Sequence, residues 1–348
     1  MGEQSISMFR LDYLLFFSLF LSYSFIISTN ALYEKELYQI ALRNYEEYRS
    51  LTNQDVPKKL EHIHLVRIPK AGSSSFSVVA RRIVGCEPPG PCCRWPGDPV
   101  GSCPSKDLFD CQLQRKVIGC TGHNPEFNIL KSGMMSSVSM IRDPLARSIS
   151  AFFYPNHHNM ECQGDLNHCF QLYMKDNRFQ NIAVKMLCGD NPYMNHPTCR
   201  NISQCRHSLE MAIHNLKYFQ FFGIMELWEL SLLLFHFTFP QLPPSVEEFS
   251  LYSPASFSNS SSPHHLQGIR ENTNANYSAF KETARELYAA ELLQQNHLDI
   301  ELYKLLKTKF HDQLIEKNLW DFPIVQDYWK EKLGEQKLST PLAPEQNN

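Results

Sequence analysis

The order of apolar and polar positions divides the chain into three stretches. Tyr13 to Ser28 ("YLLFFSLFLSYSFIIS") carries no charged residue, and it falls short of the roughly 20 apolar residues usual for a spanning helix. Residues 32–60 are polar, with apolar positions at Leu37, Ile40, Ala41, Tyr45 and Tyr48. That spacing predicts a helix. From His62 onward, short apolar runs alternate with amphipathic segments. "HIHLVRI" (62–68), "KVIGCTG" (116–122), "SVSMIR" (137–142) and "FQFFGIM" (219–225) predict strands. "FSVVARRIV" (76–84) and residues 145–154, 171–188, 206–216, 226–237 and 277–308 predict helices. Such alternation predicts an α/β fold: a central, largely parallel sheet flanked by helices.

Two segments break the alternation. Residues 86–111 hold five cysteines and six prolines, the composition of an irregular insertion stapled by disulfides. Residues 252–265 ("YSPASFSNSSSPHH") are rich in serine and proline and read as a loop. The expected organisation is a short tail (1–12), an apolar segment (13–28), a stem (29–60), a main domain (61–330) and a polar tail (331–348). The stem helix is expected to pack on the domain or on a second chain, which would make a homo-oligomer.

Composition adds a compartment. The apolar segment is either a signal-anchor or a cleaved signal peptide, with "TNA" ending at Ala31 as the cleavage site. Both readings send the remainder into the secretory pathway. The chain has eleven cysteines and N-x-[ST] sequons at Asn201, Asn259 and Asn276, which suit that compartment. An odd cysteine count leaves at least one thiol unpaired or bonded to another chain. The cysteines lack paired C-x2-C spacing, so no metal site is expected. A formal net charge of −3 gives no whole-chain argument for nucleic acid, and none is expected as a partner.

The candidate chemistry begins at "RIPKAGSSSF" (67–76). A strand running into Lys70, Ala71, Gly72, Ser73, Ser74 and Ser75 and then a helix would turn backbone N–H groups toward one point. Those orphan donors and the helix dipole attract an anion. The pattern is not the nucleotide-triphosphatase loop, which places its lysine after the second glycine. A second motif, "IRDPLARSIS" (141–150), starts a helix with proline directly after a strand. Arg142 falls at the carboxyl edge of the sheet, where open α/β folds bind ligands. Ser150 follows in the helix, and an arginine with a serine suits phosphate.

Together the two motifs resemble the sulfotransferase superfamily. The likeness is strongest to the membrane-bound Golgi enzymes that sulfate carbohydrates, particularly the heparan sulfate 2-O- and 6-O-sulfotransferase-like and uronyl groups. It spreads over about residues 62–310, with further echoes in "FQNIAVKMLCG" (179–189), "FFGIMELWELSLLLF" (221–235) and the stretch 274–303. The resemblance implies a P-loop-like strand–loop–helix that binds 3′-phosphoadenosine 5′-phosphosulfate (PAPS). Lys70, Ala71, Gly72, Ser73, Ser74 and Ser75 would cradle the 5′-phosphosulfate. Arg142 and Ser150 would hold the 3′-phosphate. Residues 274–278 would correspond to a late loop closing over the nucleotide.

The implied reaction passes the sulfuryl group in line from PAPS to a carbohydrate hydroxyl, without a metal. Lys70 would stabilise charge on the departing oxygen. The resemblance assigns the base that takes the hydroxyl proton to His123 in "GCTGHNPEF", with Glu126 as the alternative; a histidine suits a near-neutral lumen. The location implied is the Golgi membrane, with the catalytic domain in the lumen. A catalytically silent glycan- or nucleotide-binding protein is the alternative from another class. A kinase is disfavoured, because the chain has no evident pair of magnesium-holding aspartates.

Overall fold

The computed structural model of the chain describes residues 32–51, 63–66, 68, 70–72, 76, 79, 136–153, 165–176, 179–188, 202–250 and 275–334. Helix α1 spans 32–51. The strands are β1 (Ile63–Val66), β2 (Ser136–Ile141) and β3 (Phe219–Ile224). Around them lie α2 (Pro144–Phe152), α3 (Leu166–Lys175), α4 (Ile182–Cys188), α5 (Ile202–Asn215), α6 (Trp228–Thr238) and α7 (Val246–Phe249). Three longer helices follow: α8 (Ala275–Gln295), α9 (His297–Glu316) and α10 (Pro323–Leu333). The three strands form one parallel sheet in the order β1-β2-β3. The expected strand at 116–122 lies outside the described residues.

The central strand shows why the pattern predicted a parallel sheet. From Ser137 to Ile141 every residue of β2 is buried, as befits a strand covered on both faces. The buried hydroxyl of Ser139 donates to the Val66 carbonyl at 2.9 Å, so the polar group inside the sheet is satisfied. Register slips once between β2 and β3, where Ser137 faces Phe219 but Val138 faces Phe221. The Gln220 side chain accepts the Ser137 N–H at that irregularity.

On one face Phe76 stacks on Phe221 at 5.4 Å and meets Phe235 of α6 edge-on at 5.0 Å. Every residue of α6 from Trp228 to His236 is buried, the mark of a helix enclosed on all sides. Part of its cover is α1, whose Leu37, Ile40 and Ala41 are buried in the core. Asn44 donates to the His236 carbonyl at 3.4 Å, and Tyr33 meets Tyr328 of α10 edge-on at 5.3 Å. The helix predicted as a stem therefore lies against the domain, one of its two expected docking surfaces.

Two predicted helices are broken, and the breaks meet. Residues 171–188 divide into α3 and α4, with Asn181 at φ 49°. Residues 277–308 divide at Asn296 into α8 and α9. The Asn181 side-chain oxygen accepts from the N–H groups of Leu298 and Asp299 at 3.1 and 3.2 Å, capping α9. In return the Asp299 carboxylate accepts from Ala183 and Val184 at 3.2 and 2.9 Å, capping α4. Each helix start supplies the acceptor that the other's orphan donors need. Arg147 of α2 closes the arrangement, its Nε 3.9 Å from Asp299 and its Nη2 donating to Ser148 Oγ, the Phe179 carbonyl and Asn296 Oδ1. The final helix, α10, was not predicted from the pattern and runs to Leu333, into the stretch expected as tail.

Candidate functional site

Three parallel strands deliver three chain segments to one edge of the sheet: Ile68 to Gly72, Arg142 with Asp143, and Met225 with Glu226. The first is a tight turn, closed by the Ala71 N–H on the Ile68 carbonyl at 3.3 Å. Lys70 adopts φ 61° there, the left-handed region that non-glycine residues seldom occupy. Gly72 follows at φ 76°, and a Cβ at that position would run into Met225 Sδ. The Phe76 N–H then donates to the Gly72 carbonyl at 2.9 Å, so helical bonding begins at Gly72.

The second segment leaves β2 as Arg142 and Asp143. Asp143 caps α2, its side chain accepting the Ala146 N–H at 2.8 Å, with Pro144 at the helix start. A residue that caps a helix cannot lie inside it, so Arg142 stays at the sheet edge. Its Nη1 donates to the Lys70 carbonyl at 3.3 Å. The first and second motifs are thus joined directly across neighbouring strands.

The third segment was read as the end of a predicted strand (219–225), the start of a predicted helix (226–237) and an echo of the resemblance, with no site residue assigned to it. Ser231 of α6 closes the end of β3, its hydroxyl accepting from the Ile224 N–H at 2.8 Å and donating to the Ile224 carbonyl at 2.9 Å. Glu226 then turns into the edge. Its carboxylate accepts the Asp143 N–H at 3.1 and 3.2 Å and the Tyr303 hydroxyl at 3.1 Å, and it lies 3.8 Å from Arg142 Nε. Tyr303 comes from α9, and Lys307 one turn further on holds its Nζ 5.2 Å from the Tyr303 ring centre. The signal for Glu226 was its position two residues past the end of β3. Tyr303 lay inside a long predicted helix with nothing to distinguish it.

Burial and neighbouring charge tune these groups. Burial, with the positive charge of Arg142, lowers the Lys70 ammonium to about 8. Burial raises Glu226 above the usual carboxylate range, with Arg142 opposing it. The Tyr303 phenol is raised by burial and then by Glu226 and Asp143. Burial lowers Lys307, opposed by Asp143 and Glu226. A half-buried lysine, arginine and carboxylate at the end of a parallel sheet form a site that can neutralise a bound anion.

Of the residues chosen from sequence, the structure brings Lys70, Ala71, Gly72 and Arg142 to this edge. Ser150 lies in α2 and is 9% exposed. Ser73, Ser74, Ser75, His123 and Glu126 lie outside the described residues, as do the apolar segment 13–28 and the cysteine-rich insertion. Residues 275–278 form the first turn of α8 rather than a loop, and Asn274 lies outside the described residues. Cys169 is disulfide-bonded, and the Cys188 Sγ donates to the Lys185 carbonyl at 3.1 Å. Among the described residues, no helix is long and apolar enough to cross a membrane, and no cluster of three His, Cys, Asp or Glu side chains is placed to hold a metal ion. No protein-family model matches the chain. No curated protein matches it either.

Proposed function

We propose that the chain is a PAPS-dependent sulfotransferase acting on a carbohydrate hydroxyl, held in the Golgi membrane by residues 13–28. One observation carries this reading: Arg142 and Lys70, from two separate motifs, are hydrogen-bonded at the carboxyl edge of a parallel sheet. A single phosphate could be held by either motif. A ligand with charged groups at both its 5′ and 3′ ends uses the two together.

The residues fit such a ligand. The turn at Lys70 to Gly72 and the helical bonding that follows would face the phosphosulfate with backbone N–H groups. Lys70, lowered by burial to about 8, would place its ammonium by the bridging oxygen, and Arg142 would meet the 3′-phosphate. The co-substrate supplies the sulfuryl group. The acceptor oxygen forms the new bond to sulfur as the sulfur–oxygen bond to the nucleotide breaks. The hydroxyl proton passes to His123 or, in its place, Glu126.

The test is transfer of labelled sulfate from PAPS to a panel of desulfated polysaccharides by the detergent-solubilised full chain. Label should appear on at least one polysaccharide, and His123→Ala should abolish it. Retention of 3′,5′-adenosine bisphosphate (PAP) on an affinity column, with no transfer to any acceptor, would establish the silent binder instead. Absence of both would reject the nucleotide reading.

A further inference from the structure

Arg142 presents three nitrogens in one plane, and the fold engages two of its sides. Nη1 donates to the Lys70 carbonyl at 3.3 Å. Nε is buried with no hydrogen-bond partner among the described residues and faces Glu226 Oε1 at 3.8 Å. Nη2 has no hydrogen bond among the described residues. Glu226 is itself gripped from two other elements, by the Asp143 N–H at the head of α2 and by the Tyr303 hydroxyl of α9. With those donors and Arg142 around it, the carboxylate is poorly placed to take a substrate proton. A neutral amide could satisfy the same N–H and hydroxyl. Burial disfavours a charge at Glu226, and the opposite charge within ion-pair distance of it is that of Arg142 at 3.8 Å.

We propose that Glu226 is the positioning residue of the anion site: its carboxylate fixes the plane of the Arg142 guanidinium and leaves Nη2 for the ligand's phosphate. The proposal rests on the reading of Arg142 as a phosphate contact. Pre-setting a planar donor in its bound orientation removes part of the ordering cost of binding. Tyr303 contributes by holding the carboxylate still, which ties α9 to the cradle.

The test is a double-mutant cycle on PAP affinity, measured by titration calorimetry on the full chain. Glu226→Gln keeps one acceptor oxygen, at the Oε2 position, for both Asp143 and Tyr303, and puts an uncharged NH2 in place of the oxygen that faces Arg142 Nε. It should weaken PAP binding roughly fivefold, the order of one partly exposed charge contact. In an Arg142→Lys background, where no guanidinium plane exists to be fixed, the same change should alter affinity by less than about 1.5-fold. Equal losses in both backgrounds, no loss, or tighter binding in Glu226→Gln would overturn the proposal.

A second measurement needs no nucleotide. In protein labelled with nitrogen-15 at arginine, the Arg142 Nε–H signal should exchange slowly with water, and Glu226→Gln should speed that exchange. An unchanged signal would overturn the positioning role even where PAP binds. Failure of the wild-type chain to bind PAP, with the exchange difference intact, would reject the nucleotide reading and leave the Glu226–Arg142 pair standing.

Discussion

Arg142 and Arg147 stand five residues apart in one motif, and the fold uses them in opposite ways. Arg142 precedes the cap of α2, sits at the sheet edge with its side chain 20% exposed, and has an Nη2 without a hydrogen bond among the described residues. Arg147 lies one turn into α2, is 1% exposed, and is spent on Asp299, Ser148, Phe179 and Asn296. The residue between these roles is Asp143. By capping the helix it decides which arginine faces the ligand edge and which is carried into the helix packing. An arginine's chemistry is set by its place relative to a helix start as much as by its charge.

The largest effect should come from breaking the buried side of the comparison. Asp299→Ala removes the partner of a buried guanidinium and two caps on α4 together. Removing one member of a buried ion pair costs about 4 kcal/mol, a fall of roughly 10 °C in Tm for a domain of this size. Calorimetry on the full chain measures it. Below that midpoint, PAP affinity should stay within about twofold of wild type. A large loss of affinity in the intact fold would erase the distinction between the two arginines.

Arg142→Ala makes the reciprocal test. PAP affinity should fall roughly 50-fold, the cost of deleting one partner of a desolvated charge contact. Tm should move by less than about 2 °C, because partly exposed ion pairs contribute little to stability. Isothermal titration and a thermal scan on the same sample separate the two. A fall in Tm without loss of affinity would make Arg142 a second structural arginine.

The sheet edge was legible from sequence because its parts are local. "SVSMIR" ending in Arg142 gives a strand, and "DP" gives a cap and a helix start, all within a few residues. The lock around Arg147 was not legible. Asn181 and Asp299 are far apart in the chain, and the breaks at Asn181 and Asn296 fall within stretches whose apolar spacing predicted single helices. Only the tertiary pairing shows that each caps the other. Glu226 falls between the two cases: its place after β3 was visible, but its partners Asp143 and Tyr303 come from other elements. The α/β alternation proved informative, although the sheet described has three strands and helices make up most of its surroundings.

A smaller effect separates shape from charge within the cradle. Gly72→Ala should cost about 2 kcal/mol, since it combines a positive φ with a Cβ driven into Met225. Thermal unfolding of Gly72→Ala beside a Gly72→Ala, Met225→Ala double variant divides the cost. The double variant should recover the contact part and retain the backbone part. Full recovery would mean that the backbone there imposes no strain on alanine.

The last test concerns proton occupancy at Lys70. Burial and Arg142 lower its ammonium to about 8, and a bound dianion favours the charged form. Affinity for PAP should therefore be full below that value and decline as pH rises through it, by roughly tenfold per unit once the free enzyme's Lys70 is neutral. Phosphate groups have their second ionisation near pH 6, so from about pH 7 upward the ligand's charge is constant and the decline belongs to the protein. Lys70→Arg keeps its charge throughout this range and should give a flat profile. A flat profile in the wild-type chain, or the same decline in Lys70→Arg, would place the titrating group elsewhere. The two cations of the edge would then differ: Arg142 would hold the anion, while Lys70 would serve the turn through its backbone carbonyl alone.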